Sequence, residues 1–191
     1  MTNPTCSSVL RAVLPLGLPL LIGLWGGPAA AAPSCTLTSF DPVIDFGAMR
    51  PQAGNGETEI QPSPQRRTFS AVCPDATQMS LVFQGDARGA AEMRFGERGA
   101  YGIRVASARL DGAAVQMARL PAPGQPPAEE SSGELALLPS DVFAPASGRQ
   151  LLSGKRLDIA LEIAAVIPAD AVRVNAPVTL DATAQLQLVT P

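Results

Sequence analysis

The side chains in this chain that could do covalent or acid–base chemistry are few: three cysteines, a scatter of carboxylates and hydroxyls, one lysine, and no histidine. Histidine is the commonest general base and metal ligand. Without it, a nucleophilic Ser, Thr or Cys would need Lys155 or a carboxylate as its base. Lys155 stands in Ser153-Gly154-Lys155, which reads as a turn between strands. The Gly-Lys pair lacks the glycine spacing, the following Ser or Thr and the helix of a phosphate loop. Two carboxylate pairs have a composition that suits glycoside chemistry, Glu129-Glu130 and Asp158 with Glu162. The first falls in a Pro-rich segment and the second on the polar face of a strand, both ordinary solvated positions. No acidic loop has EF-hand spacing. The reading is a protein without catalytic residues, resident metal or cofactor.

The cysteines must be read together with the start of the chain. Arg11 is the only charge before the apolar run Ala12 to Trp25, and Gly26-Gly27-Pro28 and the small residues Ala29 to Ala32 follow it. That is the order of an export signal. The run is shorter than the roughly 20 apolar residues that span a bilayer, and Pro15 and Pro19 interrupt it. Cleavage after Ala31 leaves Ala32 to Pro191 as a single domain and removes Cys6 and the only tryptophan, Trp25. Cys35 and Cys73 remain. An even count in an exported chain points to one disulfide, and two cysteines without histidine make a poor metal site. The whole chain carries 14 Lys and Arg against 17 Asp and Glu, a net charge of −3. With no basic stripe, a nucleic-acid partner is excluded.

The elements that carry these residues are strands. Leu157, Ile159, Leu161 and Ile163 alternate with Asp158, Ala160, Glu162 and Ala164. Val178, Leu180, Ala182, Ala184, Leu186 and Leu188 alternate with polar residues in the same way. Phe69, Ala71, Cys73; Met79, Leu81, Phe83; and Tyr101, Ile103, Val105 repeat the beat. Period two marks half-buried strands. Turn formers punctuate the runs at Ala53-Gly54-Asn55-Gly56, Cys73-Pro74-Asp75, Gly85-Asp86, Asp111-Gly112 and Ser153-Gly154. Pro121 to Gly133 is the one low-complexity segment and reads as an exposed, mobile loop. The expected architecture is an all-β, immunoglobulin-like sandwich with one disulfide. The usual tryptophan beside the bridge is missing.

Order and spacing at the two ends give a family resemblance. Cys35-Thr-Leu-Thr-Ser-Phe-Asp-Pro-Val-Ile-Asp-Phe-Gly47, then Phe69-Ser-Ala-Val-Cys73-Pro and Met79-Ser-Leu-Val-Phe-Gln-Gly85, are followed much later by Leu157 to Ile167 and Asn175 to Val189. This arrangement resembles the chaperone/usher fimbrial (pilin) subunits, including the spore-coat-protein-U-like fimbrial proteins. It covers about half of the chain beyond the signal, and no single motif in it is specific. Thr190 and Pro177 depart from the penultimate Tyr and the Gly before the last strand that pilins often carry.

The resemblance implies a sandwich lacking its final strand, with an apolar donor-strand groove lined by Ile44, Phe46, Leu180, Ala182, Ala184, Leu186 and Leu188. It further implies a periplasmic pilus chaperone, an outer-membrane usher and a neighbouring fimbrial subunit as partners. The expected location is the periplasm in transit and then the surface of a Gram-negative cell, in a fimbrium used for structure or adhesion. Only Ala32, Pro33 and Ser34 would precede Cys35, while a donor strand needs roughly ten residues. The expectation is a subunit that receives a strand without giving one, as at a fibre tip. The alternative is a complete, stand-alone exported sandwich that binds a ligand or an envelope protein. Tyr101 and the 121–133 loop are the places to look for such a contact, although a lone tyrosine and a Pro-rich loop more often serve packing and linkage.

Overall fold

Alternating residues become strand almost throughout, because each such run can bury one face and hydrate the other. The computed structural model describes residues 34–39, 43–49, 58–131, 133–171 and 179–191. These residues form a short 3₁₀ turn at Ala169–Ala171, no α-helix and twelve strands. In chain order the strands are β1 (Thr36–Ser39), β2 (Glu59–Ile60), β3 (Gln65–Gln78), β4 (Ser80–Gly85), β5 (Met93–Phe95) and β6 (Gly99–Leu110). After them come β7 (Ala113–Leu120), β8 (Leu135–Leu137), β9 (Val142–Ser147), β10 (Gln150–Leu151), β11 (Ser153–Pro168) and β12 (Ala184–Val189). The expected signal at residues 1–31, the turn at Ala53 to Gly56 and the start of the last run at Val178 lie outside the described residues.

Backbone pairing runs along the path β1-β3-β11-β6-β7-β9-β4-β12, with β2 beside β11, β5 and β8 beside β6, and β10 beside β9. The corner is β7. Its first residues, Ala113 to Val115, pair with β6, and Gln116 to Leu120 pair with β9. The sheet therefore folds over into two layers, β1, β3, β11 and β6 in one and β9, β4 and β12 in the other. One core fills the space between, with Leu157, Ile159, Leu161 and Ile163 of β11 packed in the same cluster as Leu81, Phe83, Met117 and Phe143. This is the expected all-β sandwich. The register places Cys35 opposite Cys73, and the two are joined by a disulfide with Cα atoms 4.2 Å apart.

Two irregularities explain breaks in the sequence pattern. In β6 the inward residues are Tyr101, Ile103 and Val105, then Ala108 and Leu110, a change from odd to even positions. The register against β11 shifts at the same place: Leu161 faces Val105 and Ala160 faces Ser107, leaving Ala106 as the extra residue of a bulge. The second irregularity lies in β11, where the register against β3 jumps between Gly154 and Arg156. Asp111 (φ 50°) and Gly112 (φ 84°) form the two-residue turn between β6 and β7, with both residues at positive φ as a type I′ hairpin requires. The Asp111 carboxylate accepts hydrogen bonds from the Lys155 and Arg156 amides at 3.0 and 2.8 Å, so the turn satisfies donors at the bulge.

Three expectations need correction. Ser153-Gly154-Lys155 is no turn between strands: it lies within β11 at this bulge. Cys73-Pro74-Asp75 likewise lies within β3, in the stretch between Val72 and Thr77 that has no partner on β11. Proline has no N–H to give to a ladder, so it stands where the ladder is interrupted. The C-terminal alternation was expected to be strand from Val178, but β12 starts only at Ala184. Ala184 pairs with Gly85, where β4 ends, so the residues before it find no partner on β4. The Asp181 carbonyl instead accepts a hydrogen bond from the Gly96 amide at 3.0 Å.

Candidate functional site

The path of pairing has two ends, β1 and β12, and among the described residues neither is paired on its outer side. A seam therefore runs down the molecule. One wall is β1 and residues 43–49, and the other is residues 179–189. Residues opposite one another in an antiparallel pair point to the same face, so Leu186 and Leu188 share a face with Phe83 and Leu81. Leu37 likewise shares a face with Ala71. Ala71, Leu81 and Phe83 are buried to 2% exposure or less. Leu37, Leu186 and Leu188 lie against the same core and are only half-buried.

Of the seven residues expected to line a groove, five are half-buried against the core: Ile44, Phe46, Leu180, Leu186 and Leu188. Ala182 and Ala184 are exposed and do not pack on it. The Phe46 ring meets Phe95 edge to face at 5.9 Å between centroids. Gly47 (φ 73°) donates its amide to Asp45 Oδ1 at 2.7 Å, and Arg67 reaches the Val43 carbonyl at 3.2 Å; these contacts tie the segment down. Leu180 sits so close to Gly96 that a Cβ there would lie 2.6 Å from Leu180 Cδ2. Leu37 and Met49 belong with this set. The sequence hinted at Leu37 through its two-residue spacing from Cys35. Met49 carried no such signal.

The seam is not uniformly wide. Somewhere along their length β1 and β12 approach within 8 Å between Cα atoms without pairing. Two strand spacings amount to about 9.6 Å, so a whole strand fits there only if the walls spread.

Elsewhere the polar groups are satisfied locally. Glu162 lies between Arg66 and Arg104 in the two registers of β11 and makes ion pairs with both. Those hydrogen bonds, Arg104 first, hold its carboxyl below the ordinary range. Asp158 is held low chiefly by Arg156, with Ser70 donating at 2.7 Å. Both carboxylates are thus kept ionised on an outer polar face, the opposite of what a general acid needs. The buried Asp141 accepts from Arg119 Nε at 2.9 Å and from the Leu138 amide at 2.8 Å, and so fixes the turn between β8 and β9. Among the described residues no group of three or more His, Cys, Asp or Glu could hold a metal ion, and no helix is long and apolar enough to cross a membrane.

Tyr101 serves packing, and the 121–133 segment is tied to its neighbours. Tyr101 is 6% exposed. The described residues of 121–133 are strand-free and mostly exposed, but Pro127 is buried. The Gly124 amide donates to Ser80 Oγ at 3.2 Å, and the Ser131 amide to the Gly148 carbonyl at 3.1 Å. The Glu129-Glu130 pair is exposed on this segment.

No family model matches the chain, and no curated protein matches it. Among solved structures, the P pilus rod subunit PapA matches with 15% identity over 84% of this chain and 100% of that chain, at a TM-score of 0.44. That TM-score is too low for the likeness to carry weight, and the fold stands on the chain's own pairings.

Proposed function

We propose that the protein is a non-catalytic structural or adhesive subunit of a surface fibre built by the chaperone/usher route, and that it accepts an extended segment of a partner in the seam. The observation that carries this reading is the contrast in burial along one face. Leu81, Phe83 and Ala71 are sealed, while Leu37, Ile44, Phe46, Leu180, Leu186 and Leu188 on the unpaired edges are only half covered. An edge that offers unpaired backbone next to apolar side chains is a template for β-augmentation. Completing the burial of about five such half-covered side chains, at about half of the ~1.5–3 kcal/mol that full burial of each is worth, gives about 4–7 kcal/mol before ordering costs. In this reading a periplasmic chaperone covers the seam first, an outer-membrane usher receives the subunit, and a neighbouring subunit's segment then replaces the chaperone.

A second reading has one observation in its favour: the approach of β1 to β12 within 8 Å suits a sandwich that is already complete and acts alone as an exported binding module. Thermal unfolding of the purified protein, alone and with a synthetic peptide of alternating apolar residues, separates the two. The fibre reading expects low stability alone and a rise of ten degrees or more with peptide. High stability alone, unchanged by any such peptide or by a pilus chaperone, would overturn it.

A further inference from the structure

The second layer is buried on both faces. In the pairing of β7 with β9, Met117 stands opposite Pro145 and Arg119 opposite Phe143, on the face that meets the core. The alternate residues point outward: Gln116 opposite Ala146, Ala118 opposite Ala144, and Leu120 opposite Val142. Four of these, Ala118, Leu120, Ala144 and Ala146, are nevertheless buried to 4% exposure or less, and none belongs to the core cluster. Ser80 of β4, which alternates with the inward Leu81, is buried on the same outer face. Something other than the core covers these residues.

The segment that leaves β7 crosses them. The Ala122 carbonyl accepts from the Gln125 amide at 3.1 Å, and Pro123 and Gly124 (φ 74°) lie between, the residue order of a type II turn. From this turn the Gly124 amide donates to Ser80 Oγ at 3.2 Å. Pro127 is buried. At the far end the Ser131 hydroxyl donates to Gln116 Oε1 at 2.9 Å, and its amide donates to the Gly148 carbonyl at 3.1 Å. Ser80 is on β4 and Gln116 on β7, with β9 between those two strands. The segment therefore passes over β9 at the place where Ala144 and Ala146 are sealed. Prolines 121, 123, 126 and 127 restrict it before folding, which lowers the entropy lost in laying it down.

We infer that residues 121–131 are a strap that seals a second apolar surface and keeps copies of this chain from associating through it. A second copy is the occupant that the uncovered face would take. Its outward positions from Gln116 to Leu120, Val142 to Ala146 and Ser80 to Gln84 carry no charge, so two such faces meet without opposing like charges. The strap lies on the outer face and not in the seam, so its role does not depend on a strand being accepted there.

Hydrogen exchange of the purified protein tests the strap without altering it. The Gly124 and Ser131 amides should exchange at least about tenfold more slowly than in an unstructured peptide. Exchange at the peptide rate would make the segment a mobile loop and overturn the inference. Replacing residues 122–130 by Gly and Ser at the same length should uncover the face. That variant should bind an apolar dye more strongly than wild type and sediment as dimers or larger species at concentrations at which wild type does not. Adding Ala144→Glu to it puts a charge in the middle of the face and should restore the wild-type sedimentation. A replaced variant that behaves as wild type in both measurements would overturn the inference, as would association that Ala144→Glu leaves unchanged. Should the replaced variant not fold, the exchange of the wild type still decides.

Discussion

Truncating a seam leucine should cost less than truncating a core leucine in the free protein, and filling the seam should narrow the gap. Leu188 of β12 stands opposite the fully buried Leu81 but is itself half-buried, whereas Leu161 of β11 is 3% exposed. Leu→Ala removes three carbon groups, each worth about 0.8 kcal/mol when fully buried, or about 2.4 kcal/mol in all. At Leu161 the closed surroundings add a cavity cost, so Leu161→Ala should destabilise by about 3–5 kcal/mol. At Leu188 about half the transfer energy applies and no closed cavity forms, so the cost should be about 1 kcal/mol. A peptide that completes the burial of Leu188 restores the difference, so Leu188→Ala should weaken peptide binding by about tenfold, or about 1.4 kcal/mol. Urea unfolding with a common m-value, alone and with saturating peptide, measures each quantity. A Leu188→Ala cost equal to that of Leu161→Ala in the free protein would mean that the seam is already closed and would refute the reasoning.

Three further outcomes follow from local geometry. Replacing Cys35 and Cys73 by Ser opens a loop of sequence separation 38 and should cost about 4 kcal/mol by loop-closure entropy, read as a lower urea midpoint. Gly154→Ala puts a Cβ 2.6 Å from Leu110 Cδ1 and 2.8 Å from the Asp111 carboxylate that holds the bulge; it should cost about 1–3 kcal/mol, while Gly102→Ala, with nothing within 4 Å of its Cβ, should be far milder. Because the Glu162 carboxyl is held low when folded, its contribution is present above the unfolded value of about 4.3 and is lost as pH falls through its depressed folded value. Wild type should therefore lose stability more steeply than Glu162→Gln as pH falls below about 5, and parallel acid limbs would count against the ion pairs.

The period-two alternation of Leu157 to Ile163 and of Met79 to Phe83 determined that these segments are strands and which face they bury, because a strand's two faces can be read from a single chain. The cysteine count in a chain read as exported gave the bridge for a similar reason: few pairings were available. Asp111-Gly112 was legible as a turn, because both residues tolerate positive φ, but the hairpin it closes between β6 and β7 was not. Pairing partners were another matter. That Pro74 and Gly154 interrupt a ladder within strands, and do not reverse the chain, depends on β3 and β11 lying side by side. That β12 begins at Ala184 depends on where β4 stops. Tyr101 could be read in sequence as a contact or as packing, and it packs because β6 faces β4 across the core. The seam is the extreme case: an edge is defined by the neighbour it does not have, and only the assembled sheet can show which strands are left without one.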